Sequence, residues 1–466
     1  MTKRQYSYSY YIAIALAFLV RLIWISLIPL LSNAPDESSH WRAVEYLSEY
    51  FRQPSSQEII MAQVGAHIIQ IQISYFHMVI PKMFLNFLGV NESSLIYVCR
   101  ISNTVLSLVA VINCKYIFER LIGEKQIAYL LAIALAFHPQ YVFISSYINN
   151  DIFACWITTL SILVLLEILS IYFSNLENLK DTKKILQRLI YLNLLLGFTV
   201  FCSLFSKSSS LIIYVATFVI LLVVFVSFAC RIEKPWSTTL DYVKKPKFKF
   251  NIISLLAALL LGFLLYYVYM LKLSIPNLSA SNIFSASFIA QVIVYPRYPQ
   301  FPRGLYTTIF SSHSFWDYLK TITQMEYWKL IFQGFWGIFD NMSLKMHSLW
   351  YYFYFPYMIS FLYGYLNVFR NHFKFNWITT IEYIMCLGIV LMCAGSLSFS
   401  YQVDFQAQGR HFLPVLIIVY YFIAKGLHIF RGFNFTRLFI LTMIVGSVIC
   451  TSLYVPLSLF SIYSTQ

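Results

Sequence analysis

The sequence predicts an all-α, polytopic membrane protein with about eleven transmembrane helices, and three observations support this fold class. Of the 466 residues, 59% are hydrophobic and 11% are charged, whereas soluble domains carry about 25% charged residues. Apolar segments long enough to cross a bilayer recur along the chain. Lysines and arginines fall mainly in the short segments between them, as expected for cytoplasmic loops.

In order, the predicted transmembrane helices lie near residues 10–32, 97–118, 127–147, 152–173, 190–206, 211–230, 251–272, 349–368, 376–398, 412–427 and 438–460. The first is too long for a signal-peptide core, so we expect it to be retained. The segment 66–89 is also apolar, but His67, Gln70, Gln72, His77, Pro81 and Lys82 interrupt it. A spanning helix would have to bury these groups, so a re-entrant or juxtamembrane pair of helices is predicted instead.

This assignment gives a consistent topology. With the N-terminus in the cytoplasm, basic loops near 115–125, 180–188, 231–249, 370–374 and 425–437 are cytoplasmic. The acid-rich segment 33–96 and the loops 148–151, 206–210, 273–348 and 399–411 face the other side. Topology therefore explains the net charge of +14, and no nucleic-acid partner is expected. The polar clusters all share the non-cytoplasmic face, which predicts a site at the membrane surface.

The first external loop contains the leading candidate site residues. It reads Asn33-Ala34-Pro35-Asp36-Glu37-Ser38-Ser39-His40, and an amphipathic helix is expected to begin here because Trp41, Val44, Leu47 and Phe51 recur at helical spacing. Asp36 can cap that helix and Glu37 can interact with its dipole. Alternatively, Asp36 is a carboxylate fixed at the membrane face, with His40 one turn away.

Other polar clusters on this face offer a second acid and several cations. Asn150 and Asp151 begin a predicted helix, where Asp151 is either a cap or a second acid of the same site. Lys207 can snorkel to headgroups or bind phosphate. Arg297 and Arg303 lie in a proline-rich loop that suits either phosphate and sugar or lipid headgroups. Arg410 follows Gln408-Gly409 at the external end of a predicted span. Placing its charge there costs free energy unless the guanidinium is paired or binds an anion.

This inventory favours glycosyl transfer from a lipid-phosphate sugar. Such a leaving group departs as a phosphate without protonation, so one carboxylate base and phosphate-binding cations suffice. Glycoside hydrolysis would instead need two flanking carboxylates. Direct displacement would invert the anomeric centre. The eight cysteines form no CxxC pair, so neither a disulfide framework nor a zinc site is predicted.

Three motifs carry a family resemblance. Pro35-Asp36-Glu37-x-x-His40 resembles the first-loop acidic motif of the GT-C superfamily of membrane glycosyltransferases. The set Pro35–His40, Pro139–Asp151 and Gln408–Pro414 is similar to the PDExxH, PQ…NND-like and QGRxFLP segments of bacterial GT-C-like proteins from surface-polysaccharide clusters. The HPPLYY-like stretch of such proteins is degenerate here, at Gln70–Tyr75.

The resemblance implies an all-α GT-C fold and an inverting transferase that uses a polyprenyl-phosphate-linked sugar. Asp36 would be the catalytic base with Glu37 beside it, and Lys207, Arg410, Arg297 and Arg303 are the donor-phosphate candidates. His40, Asn150, Asp151 and Gln408 would support them. No cofactor is expected, although Asp36 and Asp151 can bind the divalent metal that some GT-C enzymes use.

The same resemblance suggests how the chain is divided into regions and in which membrane the protein resides. Residues 1–230 would form the catalytic transmembrane module with its first loop at 33–96. Residues 231–466 would add the C-terminal helices and the large periplasmic loop 273–348. The expected setting is a bacterial inner membrane, with the site on the periplasmic face and a surface-glycan hydroxyl or lipid-linked glycan as acceptor. A polysaccharide polymerase and a lipid-linked-sugar flippase or transporter are the alternatives.

Overall fold

The computed structural model describes residues 3–32, 34–50, 73–174, 182–204, 206, 208–229, 315–340, 343–370, 376–402 and 408–463, and the fold is stated for these residues. They are helical apart from a short antiparallel hairpin, in which β1 (Ile338–Phe339) pairs with β2 (Leu344–Lys345). The predicted all-α class is thereby confirmed.

The α-helices are, in chain order, α1 (Lys3–Leu27), α2 (Glu37–Tyr50), α3 (Phe76–Phe87), α4 (Glu92–Ile122), α5 (Lys125–Ala136), α6 (Pro139–Ser145), α7 (Asp151–Ser174), α8 (Thr182–Leu204), α9 (Ile212–Ala229), α10 (Phe315–Ile322), α11 (Met325–Trp336), α12 (Ser348–Arg370), α13 (Trp377–Gln402), α14 (Leu416–Ile449) and α15 (Val455–Tyr463). Short 3-10 helices cover Ile73–Tyr75, Ser208–Leu211 and Gly409–Val415, and a π-helical turn covers Cys450–Tyr454.

The predicted transmembrane segments coincide with these helices, except for 251–272, which lies outside the described residues. Within the described ranges, five helices are long and apolar enough to cross a membrane, or six if the bent pair α5 and α6 counts as one span. The two helices of that pair meet at 57°, where Pro139 occupies the first turn of α6 and lacks a backbone donor. Fewer segments qualify here than the sequence predicted, for three reasons. Helices α8 and α9 have shorter apolar stretches, α12 is not among the five, and the two C-terminal predicted spans fall in one stretch, Gly409–Ser461.

The segment 66–89 does not contain a full-length span in its described part. There α3 has 12 residues, about 18 Å of helix, whereas crossing the hydrocarbon takes about 20 residues. It packs beside α2, and Trp41, Val44 and Leu47 are buried against Tyr75 and Met78. This burial confirms the predicted amphipathic helix, whereas Phe51 lies outside the described residues.

Local signals in the sequence set several helix ends. The Asn91 side chain accepts the Ser94 N–H at 2.9 Å and starts α4, and Gly123 ends it with φ +74°. Glu124 caps α5 by accepting from the N–H groups of Gln126 and Ile127. The long helix α14 breaks at Arg431–Gly432, where Gly432 has φ +77°, and this break divides the two predicted spans 412–427 and 438–460.

Two glycines allow the C-terminal helices α12 and α14 to approach closely. A Cβ at Gly426 would overlap the Ser360 carbonyl oxygen, and one at Gly364 would overlap the Phe422 carbonyl oxygen. Small residues at such crossings are typical of membrane helix packing. Near the other end of α14, the π-helical turn leaves the Thr451 carbonyl to accept the Trp24 indole N–H at 2.8 Å, which ties the chain's last helices to its first.

Candidate functional site

Three segments that are far apart in the sequence meet at one end of the helices. They are the turn before α2, the loop 146–150 between α6 and α7, and the 3-10 helix at Gly409–Val415. Two contacts demonstrate the convergence. Arg410 Nη2 lies 3.5 Å from Asp36 Oδ2, and the Ile148 backbone N–H donates to Glu37 Oε1 at 2.9 Å. The sequence prediction that these motifs share one face is consistent with this geometry.

Asp36 occupies a left-handed backbone conformation, with φ +59°. Asp tolerates this region better than most residues, and it turns the chain from α1 into α2. The backbone carbonyl of Asp36 accepts the His40 N–H at 3.0 Å. Its carboxylate is 53% exposed and contacts Arg410. In the described part of the chain this carboxylate makes no hydrogen bond to the first turn of α2, which disfavours the helix-cap interpretation.

Glu37, the next residue, is in a different environment. It is fully buried and forms a bidentate pair with Arg100, whose Nε and Nη2 donate to its two oxygens at 2.8 and 2.6 Å. Arg100 also donates to the carbonyls of Ile25, Ile28 and Pro29 at the end of α1. Together with the Ile148 N–H, these bonds occupy both Glu37 oxygens. We call this arrangement the Glu37–Arg100 clasp; it joins α1, α2, α4 and the loop before α7.

The start of α7 contains the second predicted acid. The sequence allowed Asp151 to be the helix cap, but Asn149 takes that role, because its Oδ1 accepts from the backbone N–H groups of Asp151 and Ile152 at 2.9 and 3.4 Å. The Asn149 amide also donates to the Tyr147 carbonyl at 3.0 Å. Asp151 is buried and interacts electrostatically with Arg410, as Asp36 does.

Two buried tyrosines line the space near these acids. Tyr75 shares a 2.5 Å hydrogen bond with His40 Nδ1, and its hydroxyl also interacts with the Asn150 side chain. Burial raises the pKa of Tyr75 well above its ordinary value, and nearby Asp151 adds to the increase. Burial also raises the pKa of Tyr147, which the neighbouring Arg410 partly opposes. Both phenols therefore stay protonated at neutral pH and can donate hydrogen bonds.

Arg410 is positioned by the glycine that precedes it. Gly409 packs against the backbone of α11, where a Cβ would overlap the Ile331 carbonyl oxygen and the Phe335 amide nitrogen. The reciprocal position, Gly334, would bring a Cβ to 2.8 Å from the Gly409 nitrogen. Arg410 is buried, and its Nε has no hydrogen-bond partner among the described residues. The same holds for Gln408 Oε1, so this segment presents an unused donor and an unused acceptor.

Residues in and beside the Pro139-Gln140 motif hold the end of α11, the helix against which Gly409 packs. His138 is buried and hydrogen-bonded through Nε2 to the Phe335 carbonyl at 2.8 Å and through Nδ1 to the Tyr420 hydroxyl at 3.1 Å. Gln140 Oε1 accepts the Ile338 backbone N–H at 2.8 Å. These bonds attach the end of α11 and strand β1 to the N-terminal helices.

Three of the predicted site residues lie outside the described part of the chain, and three residues of the site were not predicted. Lys207, Arg297 and Arg303 lie outside the described residues. Arg100, Tyr75 and Tyr147 also belong to the site and were not predicted from the sequence. Arg100 carried a usable signal, because an ionisable residue near the start of an apolar span usually has a buried partner.

A buried charge lies inside the first predicted transmembrane helix. Arg21 is fully buried in α1, although lysines and arginines fall mainly between the apolar segments. Its Nε donates to Ser145 Oγ at 2.8 Å and its Nη1 to the Ala17 carbonyl at 3.0 Å. One side chain of α6 and a carbonyl of α1 itself accept from this guanidinium, whereas its Nη2 has no hydrogen-bond partner among the described residues; hydropathy alone cannot reveal such contacts.

The donor set for a divalent metal is limited in the described ranges. No group of three or more His, Cys, Asp or Glu side chains there could hold a metal ion. Asp36 and Asp151 both lie near Tyr75, Tyr147 and Arg410, so these two carboxylates are the oxygen donors that could share a hard cation.

Comparison with known proteins supports the fold. No protein-family model and no curated protein matches the chain. The apo oligosaccharyltransferase of Archaeoglobus fulgidus matches with a TM-score of 0.50 at 12% identity, over 97% of this chain and 56% of that one. The same enzyme tethered to an acceptor peptide containing the NVT sequon gives a TM-score of 0.54 at 13% identity, over 97% and 55%. The chain therefore has the GT-C oligosaccharyltransferase fold, and it spans little more than half the length of these structures.

Proposed function

We propose that this protein is an inverting membrane glycosyltransferase that moves a sugar from a polyprenyl-phosphate-linked donor to a hydroxyl acceptor. The observation that carries the proposal is the meeting of Asp36 and Arg410, 374 positions apart in the chain, at one end of the helices. A half-exposed carboxylate beside a buried guanidinium provides a base and an anion-binding group next to each other. The likeness in fold to oligosaccharyltransferases supports transfer from a lipid-linked sugar.

In this proposal each residue has a defined task. Arg410 binds the donor phosphate and stabilises the charge that develops on it as the sugar leaves. Asp36 accepts the proton of the acceptor hydroxyl. At the same time, the oxygen of that hydroxyl attacks the anomeric carbon from the face opposite the phosphate. The bond from that carbon to the phosphate oxygen breaks, the new glycosidic bond forms, and the configuration inverts. Protonated Tyr75 and Tyr147 donate hydrogen bonds at the edge of the site.

Glu37 is better suited to positioning than to catalysis. Its oxygens are occupied by Arg100 and the Ile148 N–H, so it fixes the backbone of its neighbour Asp36. The roles of His40, Asn150, Asp151 and Gln408 as supporting groups, and of Lys207, Arg297 and Arg303 as further phosphate contacts, are part of the same proposal. The proposal also includes a catalytic module at 1–230 and a recognition region at 231–466. The acceptor is O-antigen-like, and the site lies on the periplasmic face of a bacterial inner membrane.

The alternatives make different demands on the site. A polymerase would depend mainly on arginines such as Arg297 and Arg303, with no need for an acidic first loop. A flippase or transporter would need charged groups that line a path through the membrane. The buried Arg100 is instead enclosed by Glu37 and by backbone carbonyls, and the buried Arg21 donates to Ser145 and to the Ala17 carbonyl, which favours the transferase.

The test is a transfer assay in membranes from a bacterial host that supplies polyprenyl-phosphate sugars, together with analysis of the surface glycan. We expect the wild type to add a sugar and Asp36→Asn to lower the rate by about 10²–10⁴-fold, the usual contribution of a general base. Glu49→Gln, which removes an exposed carboxylate at the far end of α2, is the matched control and should retain activity. Full activity in Asp36→Asn, at equal protein in the membrane, would refute the assignment of the base.

A further inference from the structure

We propose that Arg410 holds Asp36 in an exchangeable ion pair, and that the donor's phosphate displaces Asp36 from Arg410. The carboxylate would then be released to act as a base only after the donor has bound. This inference rests on the proposed function and adds an order of events at the same site.

Two adjacent carboxylates are held in very different ways. Glu37 forms two bonds of 2.6 and 2.8 Å with Arg100 and is fully buried. Asp36 has a single contact of 3.5 Å with Arg410 and is 53% exposed. A long, monodentate and half-exposed ion pair contributes little to stability. The Asp36 contact is therefore weak enough to be exchanged, whereas the Glu37 contact is not.

Arg410 leaves one of its hydrogen-bond donors unused. A guanidinium has five N–H donors arranged to bind two oxygens of one anion side by side. In the described part of the chain, Arg410 Nε is buried without a hydrogen-bond partner. A phosphate diester presents two non-bridging oxygens and can take both Nε and Nη2, which would displace the single Asp36 oxygen. Tyr147 and Asp151 also interact with Arg410, so the incoming anion enters a site that already contains a second acid.

The ion pair has a consequence for catalysis. While Asp36 is paired with the guanidinium, its Oδ2 is directed to Arg410 and not to an acceptor hydroxyl. Phosphate binding satisfies Arg410 and frees this oxygen beside the bound donor. The geometry thus points to donor binding before acceptor activation.

The test measures binding without requiring transfer. Purified protein in detergent is titrated by calorimetry with farnesyl phosphate, inorganic phosphate and uncharged farnesol, with EDTA present, for the wild type, Asp36→Asn, Arg410→Gln and Glu49→Gln. We expect Asp36→Asn to bind farnesyl phosphate about 2–5-fold more tightly than the wild type, because a competing ion pair of up to about 1 kcal/mol is gone. Arg410→Gln should lose most of the binding, and Glu49→Gln should match the wild type.

Each other outcome has a definite meaning. Equal affinity of the wild type and Asp36→Asn would overturn the exchange while leaving Arg410 as the phosphate site. Weaker binding by Asp36→Asn would also overturn it, because the carboxylate would then help to hold the phosphate. Two results would refute the phosphate site itself and with it the proposed function. In the first, Arg410→Gln binds farnesyl phosphate as the wild type does; in the second, none of the proteins binds it. If inorganic phosphate binds more tightly than farnesyl phosphate, the ligand is a free anion and not a lipid phosphate, which would overturn the proposal for a lipid-linked donor.

Discussion

Breaking the Glu37–Arg100 clasp should destabilise the protein strongly. Glu37→Gln keeps an oxygen that can accept the Ile148 N–H, but it leaves the Arg100 guanidinium buried without a counter-charge. Arg100 would retain its bonds to the carbonyls of Ile25, Ile28 and Pro29, which are neutral partners. Removing one partner of a buried ion pair costs about 3–5 kcal/mol. We expect a loss of that size in the free energy of unfolding.

The measurement is denaturant unfolding in mixed micelles, carried out on Glu37→Gln, Arg100→Met and the double variant. Arg100→Met should cost a similar amount because it leaves the Glu37 carboxylate buried and charged. The double variant should cost less than the two single losses combined, by about 1–3 kcal/mol of coupling. Glu326→Gln, which removes one partner of the exposed pair with Lys329, is the control and should change the stability by less than about 0.5 kcal/mol. Additive losses, or single losses below about 1 kcal/mol, would refute the clasp.

The remaining predictions concern single positions. Asn149→Ala removes the acceptor at the start of α7 and should lower the unfolding free energy by about 1 kcal/mol, with Asn149→Ser recovering part of it; an unchanged Tm would contradict the cap. Gly409→Ala would overlap the backbone of α11, so we expect a loss of about 1–3 kcal/mol and weaker phosphate binding by Arg410, measured by unfolding and calorimetry. Its control is Gly395→Ala, because a Cβ there meets nothing within 4 Å, and equal effects of both changes would disprove the tight contact. Burial lowers the pKa of His77 to about 4, so the unfolded chain binds an extra proton between about pH 6.5 and 4. Stability should therefore fall by about 1–3 kcal/mol as the pH drops through that window, His77→Asn should reduce the fall in Tm, and an identical pH profile would contradict the buried neutral imidazole.

Hydropathy and charge distribution predicted the helices well because each depends only on local composition. The prediction that 66–89 is not a simple span used the same local information, since Lys82 and its polar neighbours could not face lipid, and α3 is indeed only 12 residues long. Lys82 is in fact buried on the inner side of α3, where it donates to Ser48 Oγ at 2.7 Å.

The site was only partly predictable, because its contacts join residues that are distant in sequence. The motif at Gln408–Pro414 indicated that Arg410 was important, but spacing could not pair it with Asp36. Glu37 and Asp36 look alike in the sequence, and only the position of Arg100 separates a structural carboxylate from an available one. The cap at Asn149 was missed because Asp151 is an equally good capping residue by type.

The Glu37–Arg100 clasp also bears on how fast the site can respond. It fixes the backbone on one side of Asp36, so the carboxylate can leave Arg410 by rotation of its own side chain, without movement of the loop. Rotamer changes of exposed side chains take picoseconds to nanoseconds, whereas typical enzymes turn over about 1–10³ times per second. Once a phosphate has bound to Arg410, release of the base would therefore reach equilibrium much faster than turnover, and the rate would be set by the chemistry or by exchange of the lipid-linked substrates.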